Sequence, residues 1–134
     1  MASRSIDALS KDTREMAQAF LEECRRNGLD VLIYCTLRTN DEQAALWASG
    51  RTSPGRVLTN ARPGESLHNP DANGEAWAFD AVPVKGGKPQ WLDGVALALM
   101  GRCGEAVGLE WAGRWAGALR ERVHFQLKGG RHGG

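Results

Sequence analysis

Long hydrophobic runs are missing from this sequence, and the opening stretch Met1-Ala2-Ser3-Arg4-Ser5-Ile6-Asp7 has no apolar core. The first absence excludes a helix that crosses a bilayer, and the second removes the hydrophobic region of a secretory leader. The expectation is a protein made in the cytoplasm without an export signal of its own. Net charge of either sign is also scarce, at +1, so nothing general favours nucleic acid or an acidic membrane. Cysteine is limited to Cys24, Cys35 and Cys103. An odd number at wide spacing suits neither a disulfide framework nor a cysteine-based metal site, and predicts buried, reduced thiols. Internal repeats are lacking, and low complexity is confined to Lys128–Gly134, which reads as a frayed end.

What is present is the composition of a soluble globular domain: 134 residues, 42% hydrophobic and 25% charged. A chain of this length buries about two-thirds of the surface that its unfolded form exposes, so one core suffices. Residues 1–127 are read as the folded unit and 128–134 as a flexible tail. Helical spacing of Met16, Phe20 and Cys24, with Ala17 and Leu21 alongside, predicts a helix over Lys11–Asn27, started by an Asp12/Glu15 capping box and stopped by Gly28. Val31–Leu37 reads as a strand that delivers Arg38. Asn40, with Gln43 as its cap partner, starts a helix over Asp41–Ser49 that ends at Gly50. Between Arg51 and Glu65, Pro54-Gly55 and Pro63-Gly64 mark a surface loop able to wall a groove, with Val57-Leu58 as a short strand.

Ala76–Val82 alternates, with Trp77, Phe79 and Ala81 on one side and Ala76, Ala78 and Asp80 on the other, a strand pattern. A Gly/Lys turn at 85–88 follows. Asp93 then caps a helix over Gly94–Val107, with Val95, Leu99, Cys103 and Val107 facing the core. Gly108–Trp111 and Val123–Leu127 read as short strands, the second placing His124 and Gln126 on one face. These elements make a single small α+β domain with a short, mainly antiparallel sheet flanked by helices.

Chemistry concentrates between Ser66 and Asp80. His68 and Asp80 are metal-ligand types separated by a turn-rich loop, Asn69 to Gly74, that lets them converge, and His124 is a third candidate. Two imidazoles, one carboxylate and an open fourth position describe a catalytic rather than a structural zinc site, sited on the sheet. Glu121, three residues before His124, is a carboxylate near the metal without having to bind it; an irregular turn before Val123 is needed to bring it there. An isolated carboxylate on an apolar strand is costly unless paired or coordinated, so a salt bridge to an arginine is the plain alternative for Asp80. For Arg38, a surface ion pair is as good a reading as a catalytic role.

Taken together, Leu37-Arg38-Thr39 with Glu42-Gln43, the run from Trp47 to Pro63-Gly64, Ser66-Leu67-His68-Asn69, Ala78-Phe79-Asp80 and Glu121-Arg122-Val123-His124-Phe125 resemble, in order, the zinc D,D-carboxypeptidase and L-alanyl-D-glutamate endopeptidase family. That family includes vancomycin-resistance peptidases and phage endolysins. The resemblance implies zinc on His68, Asp80 and His124, Glu121 as general base, and Arg38 steadying the substrate carbonyl or oxyanion. It further implies substrate contacts from Ser66, Gln43, Trp111 and Trp115. Two departures stand out. The His68–Asp80 spacing is lengthened around Pro70–Asn73, which leaves Asp71 as a competing ligand, and Arg114 stands where an aspartate is commoner. His132 is assigned to no site.

The function so implied is a peptidoglycan hydrolase of the phage endolysin type that cuts the stem peptide, at the L-alanyl-D-glutamate bond, with zinc-activated water. It would act as a monomer on the periplasmic wall after a separate membrane-permeabilising protein releases it, with no nucleic acid or stable membrane association. A D,D-carboxypeptidase removing terminal D-alanine is the alternative within the class. A silent zinc-containing module that binds wall peptide or a protein is the alternative outside it.

Overall fold

The computed structural model describes residues 2–129, so His132 and most of the glycine-rich tail lie outside the described residues. Three α-helices and a five-stranded antiparallel sheet make an α+β domain, as the sequence pattern predicts. In chain order the elements are α1 (Lys11–Arg26), β1 (Asp30–Cys35), α2 (Asn40–Ala48), β2 (Ala78–Lys85), β3 (Lys88–Pro89), α3 (Gly94–Ala106), β4 (Leu109–Trp111) and β5 (His124–Leu127). The sheet order is β1-β2-β5-β4, with β3 also paired to β2 through the Gly86-Gly87 hairpin. No helix among the described residues is long and apolar enough to cross a membrane.

α1 and α3 cover one face of the sheet. α1 buries Thr13, Ala17, Phe20 and Cys24, with Met16 and Leu21 partly buried against the core; the expected stripe is present but its centre lies to one side, toward Thr13 and Ala17. Phe20, Phe79 and Phe125, the only phenylalanines in the chain, meet at centroid distances of 5.4, 4.8 and 5.5 Å. Burying three such rings is a dominant apolar contribution to a core of this size. Cys24, Cys35 and Cys103 are free and buried, in line with reduced thiols.

Several local expectations are corrected. α1 begins after Ser10, whose hydroxyl bonds Thr13 Oγ1 at 2.7 Å, so Asp12 does not cap it. α2 is capped by Thr39, not Asn40: Thr39 Oγ1 accepts from Glu42 N at 3.1 Å and Glu42 Oε1 accepts from Thr39 N at 2.9 Å. The box moves one residue upstream because threonine and glutamate make both reciprocal bonds, and this frees Gln43 for the interior. Val57 and Leu58 form no strand. Trp77 precedes β2 and points to Asp71 rather than into the core. Val95 is 83% exposed, and α3 instead buries Leu97, Met100, Gly101, Cys103 and Gly104.

The two glycines explain how α3 sits. A Cβ at Gly101 would stand 2.3 Å from Trp111 Cδ2, and one at Gly104 would stand 2.4 Å from Phe125 Cε1. Strand aromatics therefore lie directly on the helix backbone. Gly104→Ala should lose about 1–3 kcal/mol in urea unfolding, because overpacking outweighs the roughly 1 kcal/mol that alanine gains in helix propensity. A more stable variant would show that α3 can shift away from β5.

Candidate metal centre and cleft

The uncovered face of the sheet carries the site. β2 and β5 pair antiparallel with Asp80 opposite His124, so the two side chains project from neighbouring positions on the same face. Phe79 and Phe125, opposite each other one residue along, enter the core. His68 arrives from the loop before β2. Its backbone is fixed by Arg38 N donating to His68 O at 2.8 Å and by His68 N donating to Ser66 Oγ at 3.2 Å. Asn69, fully buried, accepts from Gly64 N and Ser66 N at 3.0 and 3.2 Å and donates to Arg38 O at 2.9 Å. The turn that presents His68 is thus held by an amide side chain inside it.

His68 Nε2 and His124 Nδ1 both lie on Asp80 Oδ1, at 3.0 and 3.2 Å. The opposite ring nitrogens face acceptors: His68 Nδ1 is 2.8 Å from Thr36 O and His124 Nε2 is 2.8 Å from Gln126 Oε1. The backbone carbonyl Thr36 O can only accept, so His68 Nδ1 carries a proton, and Nε2 of the neutral ring turns its lone pair toward the carboxylate oxygen. Two electron pairs converging in a buried place require a proton or a cation between them. In the protein alone a proton takes that position. Burial lowers the His68 pKa, but the charge of Asp80 and its hydrogen bond, with Cys35 beside the ring, together bring it up to about 10. For Asp80, burial works to raise the pKa, whereas the two imidazoles hold it well below the usual carboxylate range. The donor set and its outer hydrogen bonds fit zinc, whose histidine ligands normally donate their second N–H to a carbonyl or carboxylate.

Cys35 enters the site unforeseen. Ile33 faces Ala81, yet Cys35 faces Asp80, so β1 shifts register at Tyr34. That irregularity turns Cys35 toward the site, with Sγ 3.7 Å from both His68 Nδ1 and Arg38 Nη2. Cys35, His68 and Asp80 form a possible metal-binding group. Cys35, however, meets the proton-bearing nitrogen of His68 and does not line the cleft, whereas His124 does. His68, Asp80 and His124 thus share the cleft, and Cys35 does not. Asp71 is no competitor: its Oδ1 accepts from Asn73 N and Glu75 N and its Oδ2 accepts from Trp77 Nε1 at 2.7 Å. The lengthened loop is closed by these bonds.

The cleft above the sheet has a volume of about 770 Å³, within the range of small-molecule and peptide sites. Arg38, Ser66, Trp115, Glu121 and Gln126 line it with His68, Asp80 and His124. Glu121 is brought in by the turn before β5, where His124 N donates to Glu121 O at 3.4 Å. Its Oε2 stands 3.8 Å from His124 Nδ1, and its side chain is 56% exposed. Arg38 Nη2 is 3.9 Å from Asp80 Oδ2. Trp115 lies 5.6 Å from His124 ring to ring and donates Nε1 to Glu110 Oε2 at 2.9 Å.

Gln43 and Trp111 do not line the cleft. Gln43 is fully buried; it accepts from Arg38 Nη1 at 3.0 Å and donates to Ala61 O at 2.8 Å. It therefore ties the arginine to the loop that forms the cleft wall. Trp111 is buried under α3 and donates to Arg122 O at 2.9 Å, which fixes the strand-to-turn segment behind Glu121. Arg114 faces away and forms a two-bond pair with Glu105 at 2.9 and 2.8 Å.

Helices on one face of a small antiparallel sheet, with two histidines, an aspartate and a nearby glutamate in an open cleft on the other, define a candidate metallopeptidase centre. No family model matches the chain. It is 31% identical over 124 residues to the peptidoglycan L-alanyl-D-glutamate endopeptidase CwlK of Bacillus subtilis, covering 85% of this chain and 70% of that protein. It is 30% identical over 126 residues to the L-alanyl-D-glutamate peptidase of Listeria phage A118, covering 93% of this chain but only 41% of the phage protein. Its fold matches the Serratia marcescens L-Ala D-Glu endopeptidase ChiX with a TM-score of 0.67 at 20% identity, over 95% of this chain and 88% of that one. The chain belongs to the family of peptidoglycan L-alanyl-D-glutamate endopeptidases that includes CwlK.

Proposed function

We infer that the chain is a zinc-dependent peptidoglycan hydrolase that cuts the stem peptide at the L-alanyl-D-glutamate bond, working as a phage-type endolysin. The observation that carries the reading is the convergence of His68 Nε2 and His124 Nδ1 on Asp80, with Glu121 beside them in an open cleft. The names of the two curated relatives supply the bond, and the phage relative supplies the setting.

His68, Asp80 and His124 would hold the ion. Bound there, zinc would supply a Lewis acid and lower the pKa of a coordinated water to about 7. Glu121, half exposed to the cleft, takes the proton of the attacking water and passes it to the leaving amine. Arg38 places its permanent guanidinium charge at the site, where it steadies the negative charge that grows on the scissile carbonyl oxygen. Gln43 holds that guanidinium from behind and so acts as a positioning residue. Ser66, Trp115 and Gln126 offer the substrate a hydroxyl, an indole face and an amide along the walls.

Mass spectrometry of fragments released from purified sacculi tests the bond. New amino-terminal D-glutamate, abolished by a zinc chelator, is the expected result. Loss of terminal D-alanine alone would make the chain a carboxypeptidase, and no release by folded, zinc-loaded protein would leave it a binding module.

A further inference from the structure

The two histidines of the cleft are held from behind by partners of different kinds. Behind His68 stands a main-chain carbonyl, Thr36 O, 2.8 Å from Nδ1. It can only accept, so that ring nitrogen has a single hydrogen-bonding state open to it. Behind His124 stands a side chain. Gln126 follows two residues along β5, on the same face of the strand, and its Oε1 is 2.8 Å from His124 Nε2. His124 is buried, and its ring is enclosed on its other sides by Asp80 Oδ1 at 3.2 Å from Nδ1, Glu121 Oε2 at 3.8 Å from the same atom, and the Trp115 indole at 5.6 Å between centroids. Trp115 is tied in turn to Glu110, which sits opposite Gln126 in the β4–β5 pair.

An amide can do what a carbonyl cannot. It offers oxygen to a ring N–H and, after a half-turn about its last bond, NH2 to a bare ring nitrogen. His124 has a use for both. When Nδ1 donates to Asp80, Nε2 is bare and needs a donor; when Nδ1 turns its lone pair to a metal, Nε2 carries the proton and needs an acceptor. We propose that Gln126 is the positioning residue of His124, its amide accepting from Nε2 in the metal-bound site and donating to Nε2 in the empty one. The proposal rests on the reading of His124 as a ligand. His68 is then the preset member of the pair and His124 the convertible one. The empty site keeps its buried ring nitrogens satisfied, and the ring is already aimed when the ion arrives.

The test measures zinc affinity by competition with a chromophoric chelator, together with nitrogen-15 shifts of His124 in metal-free and zinc-loaded protein. In the parent, zinc should move the ring proton from Nδ1 to Nε2. Gln126→Met, close in shape but with little hydrogen-bonding capacity, should bind zinc about 10–100-fold more weakly, as loss of an outer-shell partner does. Gln126→Glu, which can accept from Nε2, should bind at least as tightly as the parent, and serves if the methionine variant does not fold. Parent-like affinity in Gln126→Met, or a glutamate variant as weak as the methionine one, would overturn the role. An Nε2 proton in both parent states would leave the amide a single orientation and overturn the conversion. His124→Ala keeps the two readings apart: parent-like zinc binding there removes His124 as a ligand, whereas zinc lost in His124→Ala but kept in Gln126→Met removes Gln126 alone.

Discussion

Glu121→Gln should keep its metal and lose about 10²–10⁴ in kcat, the usual worth of a general acid or base. The side chain is 56% exposed and stands 3.8 Å from His124 Nδ1, so it is positioned to move a proton and contributes little to the core. Amide for carboxylate preserves shape and removes the basic oxygen. Metal content by mass spectrometry and unfolding by circular dichroism should therefore match the parent while turnover falls. A variant that cuts sacculi within a few-fold of the parent would take the base role away from Glu121.

His68→Ala should fail at the preceding step, losing metal and activity together. Loss of an outer-shell partner costs roughly 10–100-fold in metal affinity, and removal of a ligand should cost more. The same histidine sets how affinity depends on pH. In the metal-free protein its pKa stands at about 10 against an ordinary 6.5. The folded value is the higher one, so the pair's stabilisation is complete below about pH 6.5 and is lost as pH rises toward 10. Asp80 runs the other way: its contribution is present above the ordinary carboxylate pKa and is lost as acid reaches its depressed folded value. A metal needs the neutral ring, so at neutral pH each zinc bound should expel a proton and affinity should climb with pH. Calorimetry in buffers of different ionisation enthalpy reads that proton directly. Binding with no proton released, or parent-like zinc content in His68→Ala, would remove His68 from the ligand set.

Much of this arrangement was legible in the sequence because it rests on periodicity. The α1 stripe, the strand alternation through Phe79 and Asp80, and the β5 alternation that separates His124 from Phe125 all follow from spacings of 3.6 and 2. What escaped depends on contacts between distant segments. Thr39 and Asn40 are both good caps, and only the reciprocal bond to Glu42 chooses between them. Gln43 looked like a cap partner and substrate contact, whereas burial beside Arg38 makes it a strut. Cys35 looked like one more apolar thiol until the register shift at Tyr34 turned it toward His68. Asp71 has a ligand's chemistry, and only its bonds to Trp77 and the turn amides show that it is engaged elsewhere. Val95 fits the helical stripe, but glycines at 101 and 104 rotate the contact face of α3 toward the strand aromatics.

Those glycines also divide the molecule into parts of unequal adaptability. Phe125 rests on the backbone at Gly104, and its neighbour His124 lines the cleft, so the rear of the cleft has no compliant side-chain layer that could absorb a change. The front is built differently. Its wall is tethered by single side chains: Gln43 to Ala61, Ser49 to Arg56, and Arg51 to Thr59 while stacked 3.5 Å over Trp47. Laboratory retuning of which peptide is accepted should therefore succeed in the segment from Val57 to Ala61 and fail in the strands, as a vice changes its grip by moving one jaw against a fixed plate.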